Sequence, residues 1–173
     1  HRSGKDVCRR GLRASGHRLT KQRAMSFHTA FEPHHPIHTP MAEPFDPRLR
    51  SLLAQSCQHL GLRHHVGGTV VTIEGPRFST RAESRMFQAW GADIINMSVA
   101  TEAALANEAG VPYAAIAMST DYDCWKEGEA VSVQMVIDNL MANAENAKKL
   151  VADVIPRLPQ IPNESADALK GAI

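Results

Sequence analysis

Long apolar runs are missing from this 173-residue chain. No stretch of about 18 apolar residues occurs, so no segment reads as a membrane-spanning helix. The N-terminus has no apolar core followed by small residues, and no secretory signal is expected. Cysteine is scarce. Cys8, Cys57 and Cys124 are odd in number, far apart and without a CxxC pair. That argues against a disulfide framework and a zinc site, and fits a reducing cytoplasm. Neither GxGxxG nor a Walker loop is present, so no nicotinamide or nucleotide cofactor is expected, and nothing indicates a metal. Excess charge is also lacking: 19 Lys and Arg face 18 Asp and Glu, a net +1. The molecule as a whole has no electrostatic case for nucleic acid or membrane.

What imbalance exists is local. Residues 1–25 hold Arg2, Lys5, Arg9, Arg10, Arg13, Arg18, Lys21 and Arg23 against the single acid Asp6. A poorly ordered tail is the expectation there, with a basic nucleic-acid arm as the competing reading. The rest is ordinary for a globular protein, with 43% hydrophobic and 21% charged residues, enough for one domain with a core. Residues 28–40 are rich in Pro and His and read as an extended loop.

Beyond residue 46 the pattern becomes regular. Asp46 is placed to cap a helix opened by Pro47, with Leu49, Leu52, Leu53, Ser56, Cys57 and Leu60 on one face and Gly61 as its stop. Gly67–Ile73 reads as a strand and Glu74–Arg77 as a breaker. Thr80 with Glu83 forms a capping box before a helix carrying Met86, Phe87 and Trp90, stopped by Gly91. Asp93–Met97 is a short strand, Thr101–Ala109 a helix ended by Gly110, and Tyr113–Ser119 a buried strand. Ser132 opens a long last helix with Val133, Val136, Ile137, Leu140, Ala144, Ala147, Val151 and Val154 on its apolar face, limited by Pro156. Three strands alternating with helices predict an α/β fold with parallel pairing.

In an open parallel sheet, ligands gather beyond the C-terminal strand ends. Those ends supply Glu74-Gly75-Pro76-Arg77-Phe78, Asn96-Met97-Ser98 and Ser119-Thr120-Asp121-Tyr122-Asp123. Polar groups converge beside an aromatic ring and a thioether, which is a ligand-site pattern. Each residue also has a bland reading. The DYD run caps a turn, Phe78 and Met97 are core, Thr120 is an ordinary strand end, and Glu102 is a first-turn helix acid. Arg77 reads as a structural partner of Glu74 or Glu83, and Cys124 and Trp125 as packing.

The segments HTPMAEPF (38–45), TIEGPRFSTRAE (72–83), GADIINMSVATEAALA (91–106) and MSTDYDCW (118–125) together resemble the methylthioadenosine phosphorylases, the trimeric branch of the purine nucleoside phosphorylases. The resemblance runs from about Lys21 to about Pro159. It implies a phosphorylase/hydrolase-like α/β fold with a mixed central sheet and flanking helices. It also implies phosphorolysis of 5′-methylthioadenosine to adenine and 5-methylthioribose 1-phosphate, with inorganic phosphate as co-substrate and no cofactor. A phosphorylase for adenosine or 6-oxopurine nucleosides is the close variant. By resemblance Asp121 is the acid at N7 of the leaving base, and Asp123 accepts hydrogen bonds from the exocyclic amine. The related 6-oxopurine enzymes carry Asn at the position of Asp121. Phe78 packs on the purine and Met97 lies under the ribose. Ser98 bonds ribose or phosphate, and Thr120 lies beside the base. Val131, Val133, Val136 and Ile137 cover the purine and the 5′ alkylthio group. His38 closes the 5′ end from a neighbouring subunit of a homotrimer.

The resemblance covers about half of the family's chain. The family's Gly-rich GGTGL-like turn and Thr-Ala-x-Gly-Ser segment, which hold phosphate, have no counterpart in this sequence. Residues 1–20 do not resemble the segment the family places before KQRAMSF. The expected organisation is therefore an atypical basic segment (1–20), the C-terminal part of a nucleoside phosphorylase domain (21–160) with the family's first strands missing, and a tail (161–173). An organised phosphate supplies most of the rate in such a reaction, so impaired turnover or a non-catalytic purine-binding remnant is the expectation for the chain alone.

Overall fold

The computed structural model describes residues 38–126, 133–160 and 162–168. The basic segment 1–25, the loop up to residue 37, and Val131 and Ser132 lie outside the described residues. The chain order is α1 (Pro47–His59), β1 (Val70–Thr72), α2 (Arg81–Ala89), β2 (Ile94–Asn96), α3 (Val99–Glu108) and α4 (Val133–Val154). A 3-10 helix (Ile155–Gln160) and one helical turn, α5 (Ser165–Ala168), follow.

Local codes set these boundaries. The Asp46 carboxylate accepts from the amides of Arg48 (2.9 Å) and Leu49 (2.8 Å), and Pro47 opens α1 where no amide is needed. Burial alone pushes the Asp46 carboxyl up. The Arg48 guanidinium and the capped amides outweigh it and hold it below its ordinary 3.8. Thr80 and Glu83 form the expected capping box on α2. Gly61 and Gly91 end α1 and α2 at φ 64° and 77°, where a side chain would be strained.

Strands β1 and β2 pair in parallel, with Val70, Val71 and Thr72 beside Ile94, Ile95 and Asn96. They form the one sheet among the described residues. The third expected strand, Tyr113–Ser119, has no ladder partner among the described residues. It is extended, and its side chains still alternate. Tyr113, Ala115 and Ala117 pack on a core of Phe45 and Val70 with Ile94 and Val99. Ile116 packs on the other core, Leu52, Cys57, Leu150 and Val154, which joins α1 to α4. A strand needs neighbours to donate its ladder; the side-chain period alone does not supply them.

Two helix faces differ from expectation. On α2 the buried residues are Ser84 and Phe87, while Met86 and Trp90 are exposed. On α4 the buried face carries Asn143, Leu150 and Val154, and Ile137, Leu140 and Val151 are exposed. The α4 face is thus turned toward polar residues. Asn143 is 1% exposed, with its Nδ2 on the carbonyl of Ser119 (3.3 Å), and Asn139 Nδ2 reaches the carbonyl of Thr120 (3.0 Å). Backbone carbonyls of the third extended segment are met by side chains from α4. Past residue 161, where a tail was expected, Glu164 pairs with Arg48 and Asn163 Nδ2 reaches the carbonyl of Gly110 (3.4 Å).

Candidate functional site

The ends of β1, β2 and the 113–119 segment carry the polar residues singled out above, and a hydrogen-bonded frame joins them. At the end of β1, Thr72 Oγ1 donates to Asn96 Oδ1 (3.1 Å) and accepts from the amide of Ala100 (3.1 Å). The same Asn96 oxygen accepts from the amides of Ser98 (3.1 Å) and Val99 (3.0 Å), which opens α3. Ser98 itself makes no side-chain cap. Its hydroxyl instead bonds the Glu102 carboxylate in the first turn of α3, and the residue is exposed.

Phe78 is 82% exposed and Met97 40%. Neither belongs to the core, so the packing alternative fails for both. A Cβ on Gly75 would fall 2.7 Å from Met97 Sδ, so glycine is what lets the thioether lie against the β1 turn. Arg77 is a structural partner, as expected: its guanidinium forks onto both carboxylate oxygens of Glu83 at 2.8 and 2.6 Å. That pairing, with the Thr80 amide and hydroxyl, lowers the Glu83 carboxyl from 4.5 to about 2. Glu102 sits in the first turn of α3 and accepts from the Tyr113 hydroxyl at 2.6 Å, which keeps its carboxyl below 4.5. Tyr113 stacks on Phe45 with centroids 5.7 Å apart, anchoring the PMAEPF segment that follows His38. His38 is exposed.

The Ser119–Asp123 loop is held from both sides. Thr120 Oγ1 donates to Asp121 Oδ2 (2.8 Å), and the Asp123 amide donates to Asp121 Oδ1 (2.8 Å). Asp121 is exposed while its carboxylate braces the turn, so the capping role and an open carboxylate coexist. Asp123 adopts φ 60°, the left-handed region that Asp tolerates better than most residues. Its Oδ2 accepts from Ser84 Oγ at 2.6 Å. Cys124 lies exposed, its Sγ donating to the carbonyl of Ser79 (3.4 Å). Arg81 Nε donates to the carbonyl of Cys124 (3.3 Å). Trp125 meets Tyr122 edge to face with centroids 6.2 Å apart. These contacts bring the DYDC loop against the start of α2, next to Phe78.

The lid residues are less fully placed. Val131 lies outside the described residues, Val133 and Val136 lie on the first turns of α4, and Ile137 is exposed. Sequence reasoning missed Ser84, Asn139 and Asn143, and gave Asn96 no role. Ser79 was missed too; its hydroxyl is buried without a partner among the described residues. Only the Asn pair left a signal, two amides four residues apart on a long amphipathic helix.

Polar groups and apolar surface gather at the parallel strand ends of an α/β frame, the place where open-sheet folds hold ligands. The chain belongs to the phosphorylase superfamily, whose sequence profile matches residues 13–156. It is 54% identical over 125 residues to S-methyl-5′-thioadenosine phosphorylase of Danio rerio, a match covering 72% of this chain and 45% of that protein. The Xenopus tropicalis protein of the same name is 52% identical over 122 residues, covering 70% of this chain and 43% of its own length. The chain thus spans under half the length of these curated relatives. Among solved structures, a methylthioadenosine phosphorylase from an antarctic soil metagenomic library superimposes with a TM-score of 0.84 at 35% identity, covering 97% of this chain and 59% of that one. The Schistosoma mansoni methylthioadenosine phosphorylase in complex with adenine gives 0.81 at 32% identity, covering 92% and 63%.

Proposed function

We propose that this chain recognises the base and sugar of 5′-methylthioadenosine and serves its phosphorolysis to adenine and 5-methylthioribose 1-phosphate. The observation that carries the reading is the meeting of the DYDC loop with the start of α2 beside an exposed Phe78. In the reaction a phosphate oxygen attacks C1′, the C1′–N9 bond breaks, and its electrons pass into the purine. The barrier falls if a proton is shared at N7 as that charge develops. Asp121 takes this role. Asp123 accepts from the 6-amino group, Thr120 flanks the base, Phe78 covers its face, and Met97 and Ser98 lie under the ribose. Val131, Val133, Val136 and Ile137 shield the methylthio group, and His38 reaches the 5′ end across the interface of a homotrimer. Phosphate is the co-substrate, with no metal or cofactor, and the setting is the cytoplasm. Phosphate is assigned to the part of the family fold that these residues do not span.

Calorimetric titration of the chain with adenine, hypoxanthine and methylthioadenosine, with and without phosphate, tests the reading. Asp121→Asn should move base preference toward hypoxanthine; an unchanged preference removes Asp121 from its role.

A further inference from the structure

We propose that Ser84 is a positioning residue for base selection: its hydroxyl fixes the Asp123 carboxylate so that one oxygen stays presented to a purine's exocyclic amine. The proposal rests on the purine reading above. Ser84 is 3% exposed on α2, and its Oγ lies 2.6 Å from Asp123 Oδ2, across 39 residues of sequence. An ionised carboxylate offers only acceptors, so the serine hydroxyl must be the donor. A mid-helix hydroxyl commonly bonds back to the carbonyl four residues earlier. Here it reaches out of its helix instead, and Ala would serve the helix itself better.

The carboxylate it holds belongs to a residue at φ 60°, whose amide braces Asp121 at 2.8 Å. A left-handed non-glycine residue persists only where its surroundings fix it. Arg81 Nε on the Cys124 carbonyl (3.3 Å) and Cys124 Sγ on the Ser79 carbonyl (3.4 Å) hold the next residue against the same end of α2. Ser84 therefore pins the carboxylate while its neighbours pin the chain. With Oδ2 taken by the serine proton and the Cys124 thiol beside the same carboxylate, the acceptor capacity that remains is what a purine amine would meet. A 6-amino purine offers it a donor; a 6-oxopurine offers another acceptor, and two acceptors face each other unpaired. Freed from Ser84, the carboxylate can turn about its side-chain torsions and the distinction weakens.

The test compares the wild-type chain with Ser84→Ala and Ser84→Thr, reading adenine and hypoxanthine affinities by calorimetry and the hydrogen exchange of the Asp123 amide by NMR. Ser84→Ala should weaken adenine binding about tenfold, leave hypoxanthine unchanged, and speed Asp123 exchange, while Ser84→Thr restores both. An unchanged adenine-to-hypoxanthine ratio overturns the proposal, as does an equal loss for both bases, which marks simple packing. If the wild-type chain binds neither base, the purine reading fails. In that case faster Asp123 exchange in Ser84→Ala still upholds the clamp, and unchanged exchange overturns it.

Discussion

Single side chains in this protein do two jobs where the strands end. Arg77 is the clearest case. A cation beside a nucleotide-like site suggests a phosphate ligand, yet its guanidinium is spent on Glu83, which also closes the α2 capping box. The pairing has a measurable pH signature. Glu83 is depressed from 4.5 to about 2, first by the Arg77 bond and then by the Thr80 amide. A carboxylate with a lowered folded value adds stability that is complete above about pH 4.5 and is lost as the pH falls toward 2. The thermal unfolding midpoint should therefore drop through that window. Glu83→Gln, which keeps the capping geometry, should flatten the slope there and lower the midpoint at neutral pH by the same small amount, small because the pair is exposed and weak in water. Wild-type slope in the variant would show that other lowered acids, Asp46, Glu102 and Asp153, carry the acid limb.

At the scale of elements, β1, β2 and α3 are joined through one threonine. Thr72 is buried, and its hydroxyl both donates to Asn96 and accepts from the Ala100 amide of α3. Thr72→Val keeps the shape and strands that amide, a cost of about 1–3 kcal/mol. Each kcal/mol lowers Tm by roughly 2–4 °C in a chain of this size. A melt unchanged within a degree would mean the bond contributes nothing. The same element scale decides what could be read beforehand. Asp46-Pro47 and Thr80-Glu83 were legible because both partners of each cap lie within a few residues. The strand-end loops were legible because period and breakers place them. The buried faces of α2 and α4 were not, since Ser84 and Asn143 are buried by partners 39 and 24 residues away. A hydrophobicity pattern places such residues outside. Tyr113–Ser119 was misassigned for the complementary reason: its alternation is real, but a strand is defined by its neighbours.

Over the whole molecule, turning α4 toward its asparagines leaves apolar side chains in water. Ile137, Leu140, Met141 and Val151 recur at helical spacing beside the buried face, with Leu140 54% and Met141 67% exposed, and Ile155 continues the stripe beyond the helix. Contiguous apolar surface of this kind on a chain of net charge +1 has little repulsion to oppose association. The chain alone should self-associate in the micromolar range, seen as a sedimentation coefficient that rises with concentration. Leu140→Glu with Met141→Glu should hold it monomeric at the same concentrations, because both side chains point outward and their replacement breaks no core contact. Adenine affinity should be unaffected, since the base loop meets α4 through Asn139 and Asn143, and neither Leu140 nor Met141 is among the α4 residues assigned to the methylthio group. If the double variant associates as the wild type does, the contact surface lies elsewhere. If it loses adenine binding as well, the stripe and the base site are one surface, and the separation drawn between them fails.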